Sequence, residues 1–505
     1  MAVPSDQTNV TSLLETRKSS LSLSHYLSFS APHLIVIWLT APINVLQGIY
    51  AKYYGFSLAT LASIILLARL FDAISDPLIG YFSDRYHRRT GTRKPFVVAG
   101  GLLLVFSAYF LYVPVGVDVH GISDKVSVTY FTLWFMSLYL AMTLFEIPHA
   151  AWASELAPVS TDKAKIFSYR GVAGLLGVAC FYLVPLLPFF DTQDITPETL
   201  KVSVISAGVL MLPLLYFCMK NTPNSSSLGG VFQRKAADKV NSKKWLRALL
   251  QSLVANKPIL IFFGAFLMYG FGVGMWYSLV FLYVDSYLGL GQYFAQVFLL
   301  SFLVSIVATP IWCKLAIMFG KKTILSIAMM LLIASFLYAS LLNPEVTGFW
   351  ELLLLQVISI LGSTCMVTFS PALLSEIIDY GTWKFEVEQT ATYYALFAFL
   401  GKLNIAIGGG LGLAVAGWYG FDATTTVQTS EGIAGIMLGM AWIPIIFIVI
   451  ALVLIVLNPI DTHRHGIVRR RLDSRIHHMI QPQKSNSEKT HSENREITPV
   501  PTSTV

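Results

Sequence analysis

Residues 433–457 run Ile-Ala-Gly-Ile-Met-Leu-Gly-Met-Ala-Trp and on to Val-Leu without one charged side chain. A stretch this long spans the hydrocarbon of a bilayer as an α-helix, which needs about 20 apolar residues. Eleven further stretches read the same way: 32–52, 57–83, 95–114, 128–152, 165–188, 199–219, 257–284, 292–313, 322–342, 350–377 and 388–418. They lack the period-2 alternation of barrel strands, so the backbone satisfies its polar groups as helices. The expected fold class is all-α integral membrane, with twelve transmembrane helices. Composition agrees: 12% of residues are charged, against about 25% in soluble proteins.

The net charge of +7 does not indicate nucleic acid, because the basic residues sit in short segments between apolar runs. Arg85, Arg88, Arg89, Arg93 and Lys94 follow span 2; Lys314, Lys321 and Lys322 follow span 8. Loops after odd spans are acidic, as at Asp118, Asp191, Asp194 and Glu345. The positive-inside rule places the even loops and both termini in the cytoplasm of a multi-pass protein of the cell membrane (the inner membrane in a bacterium). The polar Ser-rich start is not a cleavable signal peptide.

The polar segment between spans 6 and 7 divides the chain. The expected units are a cytoplasmic N-terminal segment 1–31, a six-helix bundle 32–219, a linker 220–256, a second bundle 257–457 and a disordered cytoplasmic tail 458–505. Span 2 ends in Gly80-Tyr-Phe-Ser-Asp84-Arg85 and Arg-rich sequence, and span 8 in Pro310 and Lys314 followed by Phe319-Gly-Lys-Lys322; these basic turns suggest a duplicated unit with a site at the interface of the repeats, or are simply what every cytoplasmic loop requires. Cys180, Cys218, Cys313 and Cys365 all lie in apolar stretches, with no disulfide or metal spacing. No nucleophile or metal constellation points to an enzyme.

Ionisable side chains inside spans are costly, so each is a site candidate. Span 2 reads Arg69-Leu-Phe-Asp72-Ala-Ile-Ser75-Asp76-Pro77. Asp72 and Asp76, four apart, share one helix face, with Ser75 and Arg69 on the same side. Two carboxylates so close in low dielectric need a base, a proton or a bound cation. Oxygen ligands suit Na⁺, or H⁺ held on a carboxylate. Thr143 in span 4 offers a further hydroxyl or a bond back to its own helix; Glu146 suits substrate hydroxyls or an arginine. His149, at the Pro148 break, reads as a hydrogen-bonded packing residue rather than a ligand. Arg170 either reaches inward as a fork-shaped donor or snorkels to headgroups. Lys402, deep in span 11, is a counter-charge for the span 2 acids when no cation is bound. Trp276 and Tyr277 follow a Gly-rich stretch (Gly264, Gly270, Gly272, Gly274) that permits either bending toward a cavity or close packing. Asp84, Arg85 and Arg88, with Glu376, Asp379 and Lys384, are candidate gating salt bridges or plain loop charges.

Three blocks resemble the glycoside–pentoside–hexuronide:cation symporters, the melibiose-permease type of the major facilitator superfamily. They are Asp72-Ala-Ile-Ser-Asp76-Pro-Leu-Ile-Gly80 running to Gly91-Thr-Arg93-Lys94-Pro95, Glu146-Ile-Pro148 with Glu155-Leu156 and Ser-Tyr-Arg170, and Asp379-Tyr-Gly381 with Lys402 and Gly408-Gly-Gly410. The resemblance implies a major-facilitator-like bundle in two six-helix halves that works by alternating access. It implies a cation site at Asp72, Ser75, Asp76 and Thr143, with Na⁺ held by Asp72 and Asp76. It also implies substrate contacts at Glu146 and Arg170 beside Lys402. Sugar-transporting members carry an Asp in span 1, whereas Leu34–Trp38 here is wholly apolar. Glu146 stands where Asp is usual, Ala150 where an aromatic is, and Glu386 and Glu388 where a base is common. The expected function is symport of a small organic solute, a sugar or glycoside, with Na⁺ or H⁺. A less polar or amphiphilic cargo such as a lysolipid is the alternative. No other cofactor is implied, and the partners are the solute and the bilayer around a monomer.

Overall fold

The computed structural model describes residues 21–114, 126–156, 160–224, 256–385, 390–425 and 428–461, with 464, 466–468 and 470–471. Glu386, Glu388, Asp118, most of the linker and most of the tail lie outside the described residues. Among the described residues, twelve helices are long and apolar enough to cross a membrane. They are α1 (Leu23–Tyr54), α2 (Leu58–Thr90), α3 (Lys94–Tyr112), α4 (Val128–Ala153), α5 (Lys165–Leu186) and α6 (Pro197–Asn221). The second set is α7 (Lys257–Tyr287), α8 (Gly291–Phe319), α9 (Lys321–Leu341), α10 (Phe349–Lys384), α11 (Leu396–Trp418) and α12 (Ser430–Leu457).

Of the boundaries that differ from the hydropathy reading, two have a clear physical reason. α1 begins at Leu23 rather than 32. Its polar first turns are held by the Ser22 N–H, which donates to His25 Nδ1 (3.1 Å), and by Tyr26 stacked on Tyr169. α1 then breaks at Ala41-Pro42, where the proline lacks the N–H a helix ladder needs. α2 outlasts its apolar run and ends at Gly91, whose φ of 73° closes the helix in a left-handed conformation.

The two halves repeat one packing scheme. α1 packs on α5 and α6, α2 on α4, and α3 on α4 and α6; the second half gives α7 on α11 and α12, α8 on α10, and α9 on α10 and α12. Adding six to each helix number converts one list into the other. The close crossings repeat as well. A Cβ on Gly177 would lie 2.3 Å from the Leu34 carbonyl oxygen, where α5 crosses α1; one on Gly408 would lie 2.6 Å from that of Phe271, where α11 crosses α7. Gly270, Gly272 and Gly274 likewise face backbone or Asn404 at contact distance, so three of the four glycines in the α7 stretch serve close packing. Gly177→Val and Gly408→Val are each expected to cost about 1–3 kcal/mol through overpacking. In detergent-solubilised protein this would be read as a clear fall in thermal midpoint. Gly171→Ala, with nothing within 4 Å of the added carbon, is expected to leave the midpoint unchanged or raised.

The basic turns repeat in chemistry. Lys94 Nζ donates to the Met219 and Thr222 carbonyls (2.8 and 2.7 Å) at the end of α6; Lys322 Nζ donates to the Asn458 carbonyl (2.7 Å) at the end of α12. Both place a cation on the negative end of a helix. Beside them Arg93 pairs with Glu155 (2.9 Å), and Lys321 with Glu376 (2.7 Å).

Across the halves α2 packs on α11, α5 on α8 and α1 on α7. At the end remote from the basic turns, Lys52 of α1 pairs with Asp285 (2.7 Å). Asp285 sits in the π turn Tyr283–Tyr287 that ends α7. Nearby, Gln296 donates to Gln193 and Gly48 is pressed against the Phe281 ring. These contacts latch the two halves at that end.

Candidate functional site

The buried acids of α2 meet residues from both halves. Asp72 is 1% exposed and Asp76 half-buried. The Thr143 hydroxyl of α4 lies 3.0 Å from Asp72 Oδ1 and 3.0 Å from Asp76 Oδ1. One hydroxyl proton cannot fully satisfy both oxygens, so one of them lacks a full hydrogen bond from Thr143. Lys402 of α11 donates to Asp76, with Asp72 Oδ2 3.6 Å away. Arg69 Nη1 stands 3.6 Å from the same Oδ2 and lies over the Tyr139 ring, 4.5 Å from its centroid. The cluster therefore holds two carboxylates and two cations, one cation from each half. A fully buried carboxylate needs such partners.

Ser75, expected as a co-ligand, is buried but donates to the backbone carbonyl of Asp72 (3.3 Å). Its hydroxyl serves its own helix in this conformation. The oxygen set that converges is thus Asp72, Asp76 and Thr143, suited to a small hard cation or a proton. Among the described residues, no group of three or more His, Cys, Asp or Glu side chains could hold a metal ion.

Glu146 lies three residues beyond Thr143 on α4, on the same face and about 4.5 Å along the axis. Arg170 of α5 donates through Nη2 to Glu146 and through Nε to His149 Nδ1 (3.3 Å). His149 Nε2 stands 3.0 Å from the Phe29 carbonyl, and its ring stacks on Phe29. The geometry fixes the tautomer: Nε2 carries the proton to the carbonyl, and Nδ1 accepts from Arg170. Arg170 therefore points inward in the structure, held by two partners. His149 is hydrogen-bonded as well as packed.

Sequence reasoning missed His33. Its Nδ1 lies 3.0 Å from Glu146 Oε1, out of hydrogen-bond alignment, so both atoms are buried without a hydrogen-bond partner. The signal was faint, one histidine between Pro32 and an apolar run. Missed too was a cavity between the halves with polar walls at Asn44, Gln47, Arg69, Tyr139, Tyr277 and Ser278. Gln47 Oε1 and Arg69 Nε are buried there without hydrogen-bond partners. Tyr277 lines this cavity. Trp276 does not: one residue on, it is 1% exposed and stacks on Phe336 of α9, because successive residues of a helix lie about 100° apart.

The expected gating pairs are arranged differently. Asp84 pairs with Arg93 (2.6 Å) inside the first half, and Glu376 pairs with Lys321 inside the second. Arg85 donates to Tyr81 on its own helix (3.4 Å), Arg88 is exposed, and Lys384 lies over Tyr380. Asp379 is half-buried. These pairs brace each half at the basic end, and the Lys52–Asp285 pair ties the halves at the other end.

Twelve membrane helices in two repeated halves, with buried charges meeting between them, define a membrane transporter rather than an enzyme. The family described as MFS/sugar transport protein matches residues 28–462. The chain belongs to that family. It is 28% identical over 445 residues to the glucuronide carrier protein homolog of Escherichia coli (strain K12), covering 85% of this chain and 91% of that one. It is 25% identical over 430 residues to the uncharacterized symporter YnaJ of Bacillus subtilis (strain 168), covering 84% and 89%. It is 23% identical over 416 residues to the isoprimeverose transporter of Lactiplantibacillus pentosus, covering 79% and 81%. Among solved structures, the inward-open xylose transporter XylE from E. coli has the same fold, with a TM-score of 0.59 at 15% identity over 86% of this chain and 96% of that one. The nucleoside transporter NupG aligns with a TM-score of 0.56 at 13% identity, over 86% and 97%.

Proposed function

We propose that this protein is a symporter that couples a cation, Na⁺ or H⁺, to uptake of a small hydroxylated solute by alternating access. One observation carries the reading. The Asp72–Thr143–Asp76 oxygens of one half are bound across the interface by Lys402, a lysine of the other half, with Arg69 of their own helix as the second balancing cation. A cation arriving between the acids takes over that role and releases Lys402. The coupling ion thereby changes how the two halves are tied together. Empty, the carrier is closed on itself by Lys402. Loaded, it is held by the cation and by the solute at Glu146 and Arg170. An uncompensated charge in the occluded state is expensive, which favours turnover of the fully loaded and fully empty forms.

The solute sits beside the Glu146–Arg170 pair, between the bundles 32–219 and 257–457. Carboxylate and guanidinium groups favour a hydroxyl-rich cargo, and the relatives' names point to glycosides. The basic turns set both termini in the cytoplasm, so the Lys52–Asp285 latch closes the outer side. One chain holds every element of the site, and a monomer suffices.

The test is uptake into proteoliposomes across a panel of methyl glycosides, uronides and lysophospholipids, with Na⁺, Li⁺ and H⁺ gradients imposed one at a time. Uphill accumulation of a glycoside or uronide under one gradient is expected. Accumulation indifferent to every gradient would refute coupling, and accumulation of lysophospholipid alone would move the cargo to the amphiphile class.

A further inference from the structure

The cavity between the halves stands apart from the Glu146–Arg170 cluster, and its height in the bundle gives it a role. Residue spacing measures height along a helix at about 1.5 Å per residue. On α2, Arg69 precedes Asp72 by three residues, about 4.5 Å toward the latch. On α4, Tyr139 precedes Thr143 by four and Glu146 by seven, about 6 and 10 Å in the same direction. On α11, which runs the opposite way, Ile405 and Gly409 follow Lys402. From the far end, Gln47 precedes Lys52 by five residues on α1, and Ser278 precedes Asp285 by seven on α7. Five helices agree: the cavity lies between the buried acids and the Lys52–Asp285 latch.

A solute entering past the latch meets this compartment first. Latched, it measures about 30 Å³, room for one or two water molecules. Its walls come from both halves, with Gln47 and Arg69 on one side and Tyr277 and Ser278 on the other, so parting the halves widens it. Its hydrogen-bonding capacity is unspent. Gln47 is 7% exposed, and its Oε1 has no partner; neither has Arg69 Nε. A buried polar group left so costs stability, a cost relieved when a ligand supplies the partner. One orphan is an acceptor and the other a donor. A hydroxyl both donates and accepts, so one hydroxyl, or two neighbouring ones, answers the pair. Arg69 is held for this by the Tyr139 ring, 4.5 Å from its guanidinium carbon. Its Nη1 serves Asp72 (3.6 Å) and leaves Nε to spare.

We propose that this cavity is a second solute subsite on the latch side of the acids, where Gln47 and Arg69 take a hydroxyl of the incoming solute before it reaches Glu146 and Arg170. Gln47 is the residue that gives the subsite its specificity: its Oε1 accepts from the hydroxyl to which Arg69 Nε donates. The proposal rests on the symport reading above and adds a separate place of recognition, which that reading leaves open.

The test sets Gln47→Leu against solutes that lack one hydroxyl. Methyl β-D-galactoside, methyl β-D-glucoside and each of their monodeoxy derivatives are offered to intact cells expressing the protein, which present only its outer face. For a transported parent glycoside, Gln47→Leu is expected to raise the KM of uptake about 10-fold. One monodeoxy derivative is expected to show that rise already with the unaltered protein and to gain nothing further from the substitution, the signature of a directly coupled pair. The thermal midpoint of purified Gln47→Leu is expected to stay level or rise, because the change removes an unpartnered buried amide; a lowered midpoint would make Gln47 a packing residue and overturn the assignment. A KM unmoved by Gln47→Leu, or raised equally for parents and all deoxy derivatives, would overturn the subsite while leaving the symport reading intact. Failure of the unaltered protein to take up any glycoside under any cation gradient would instead remove that reading, and the subsite with it.

Discussion

Lys402→Met is expected to cut net solute accumulation by about 100-fold or more while cation activation shifts to lower concentration. Lys402 contacts both acids of α2 from the opposite half. Without it, the ion-free carrier must pass through occlusion with one carboxylate uncompensated. Removing one partner of a buried pair costs about 3–5 kcal/mol, and each 1.4 kcal/mol is a factor of ten. The return of the empty carrier is the step that suffers. The same substitution removes the competitor for the cation, so the cation concentration for half-maximal uptake falls by about tenfold. Initial rates against cation concentration in proteoliposomes check both parts. Unchanged accumulation would mean that Lys402 is a bystander to Asp76 rather than the group the cation replaces.

Arg170→Lys is expected to raise the solute KM by about 30- to 100-fold and to leave the cation activation constant unchanged. The guanidinium bonds Glu146 through one nitrogen and His149 through another. A lysine keeps the charge but cannot span both partners with a rigid fork. Losing a charge-assisted hydrogen bond of about 2–3 kcal/mol accounts for that range. The separation of KM from cation activation is the informative part, because Thr143 and Glu146 share one face of α4. If the two constants moved together, the two clusters would be one energetic unit rather than neighbouring sites.

The membrane fold was legible because it is written in long apolar runs, and the lipid leaves a helix few alternatives. The duplication showed only as matching basic turns. In the structure, Lys94 and Lys322 prove to cap the last helix of each half, a long-range partnership that loop composition cannot reveal. Asp72, Asp76, Thr143, Glu146, Arg170 and Lys402 were legible because each carries polarity into an apolar span, and the structure gathers them into two adjoining clusters. His33 and Gln47 were not, since a single polar residue near a helix break has no distinctive pattern. Trp276 was misplaced by one position on the helix wheel, a difference that periodicity does not resolve in a span apolar on every face. The gating pairs were read from charge sign alone, which does not say whether a partner lies in the same half. The outer latch at Lys52 and Asp285 escaped for a related reason: the two residues are far apart in sequence and meet only through the π turn that ends α7.

The most direct test of the account is gradient-driven accumulation by Asp76→Asn. The variant keeps the shape of the side chain and its place beside Thr143 and Lys402, and removes the charge that the coupling ion is proposed to share. Measured in proteoliposomes against the unaltered protein, with equal amounts reconstituted, uphill accumulation is expected to fall to the level reached without a cation gradient. Full accumulation retained by Asp76→Asn would contradict the assignment of the α2 acids as the coupling site.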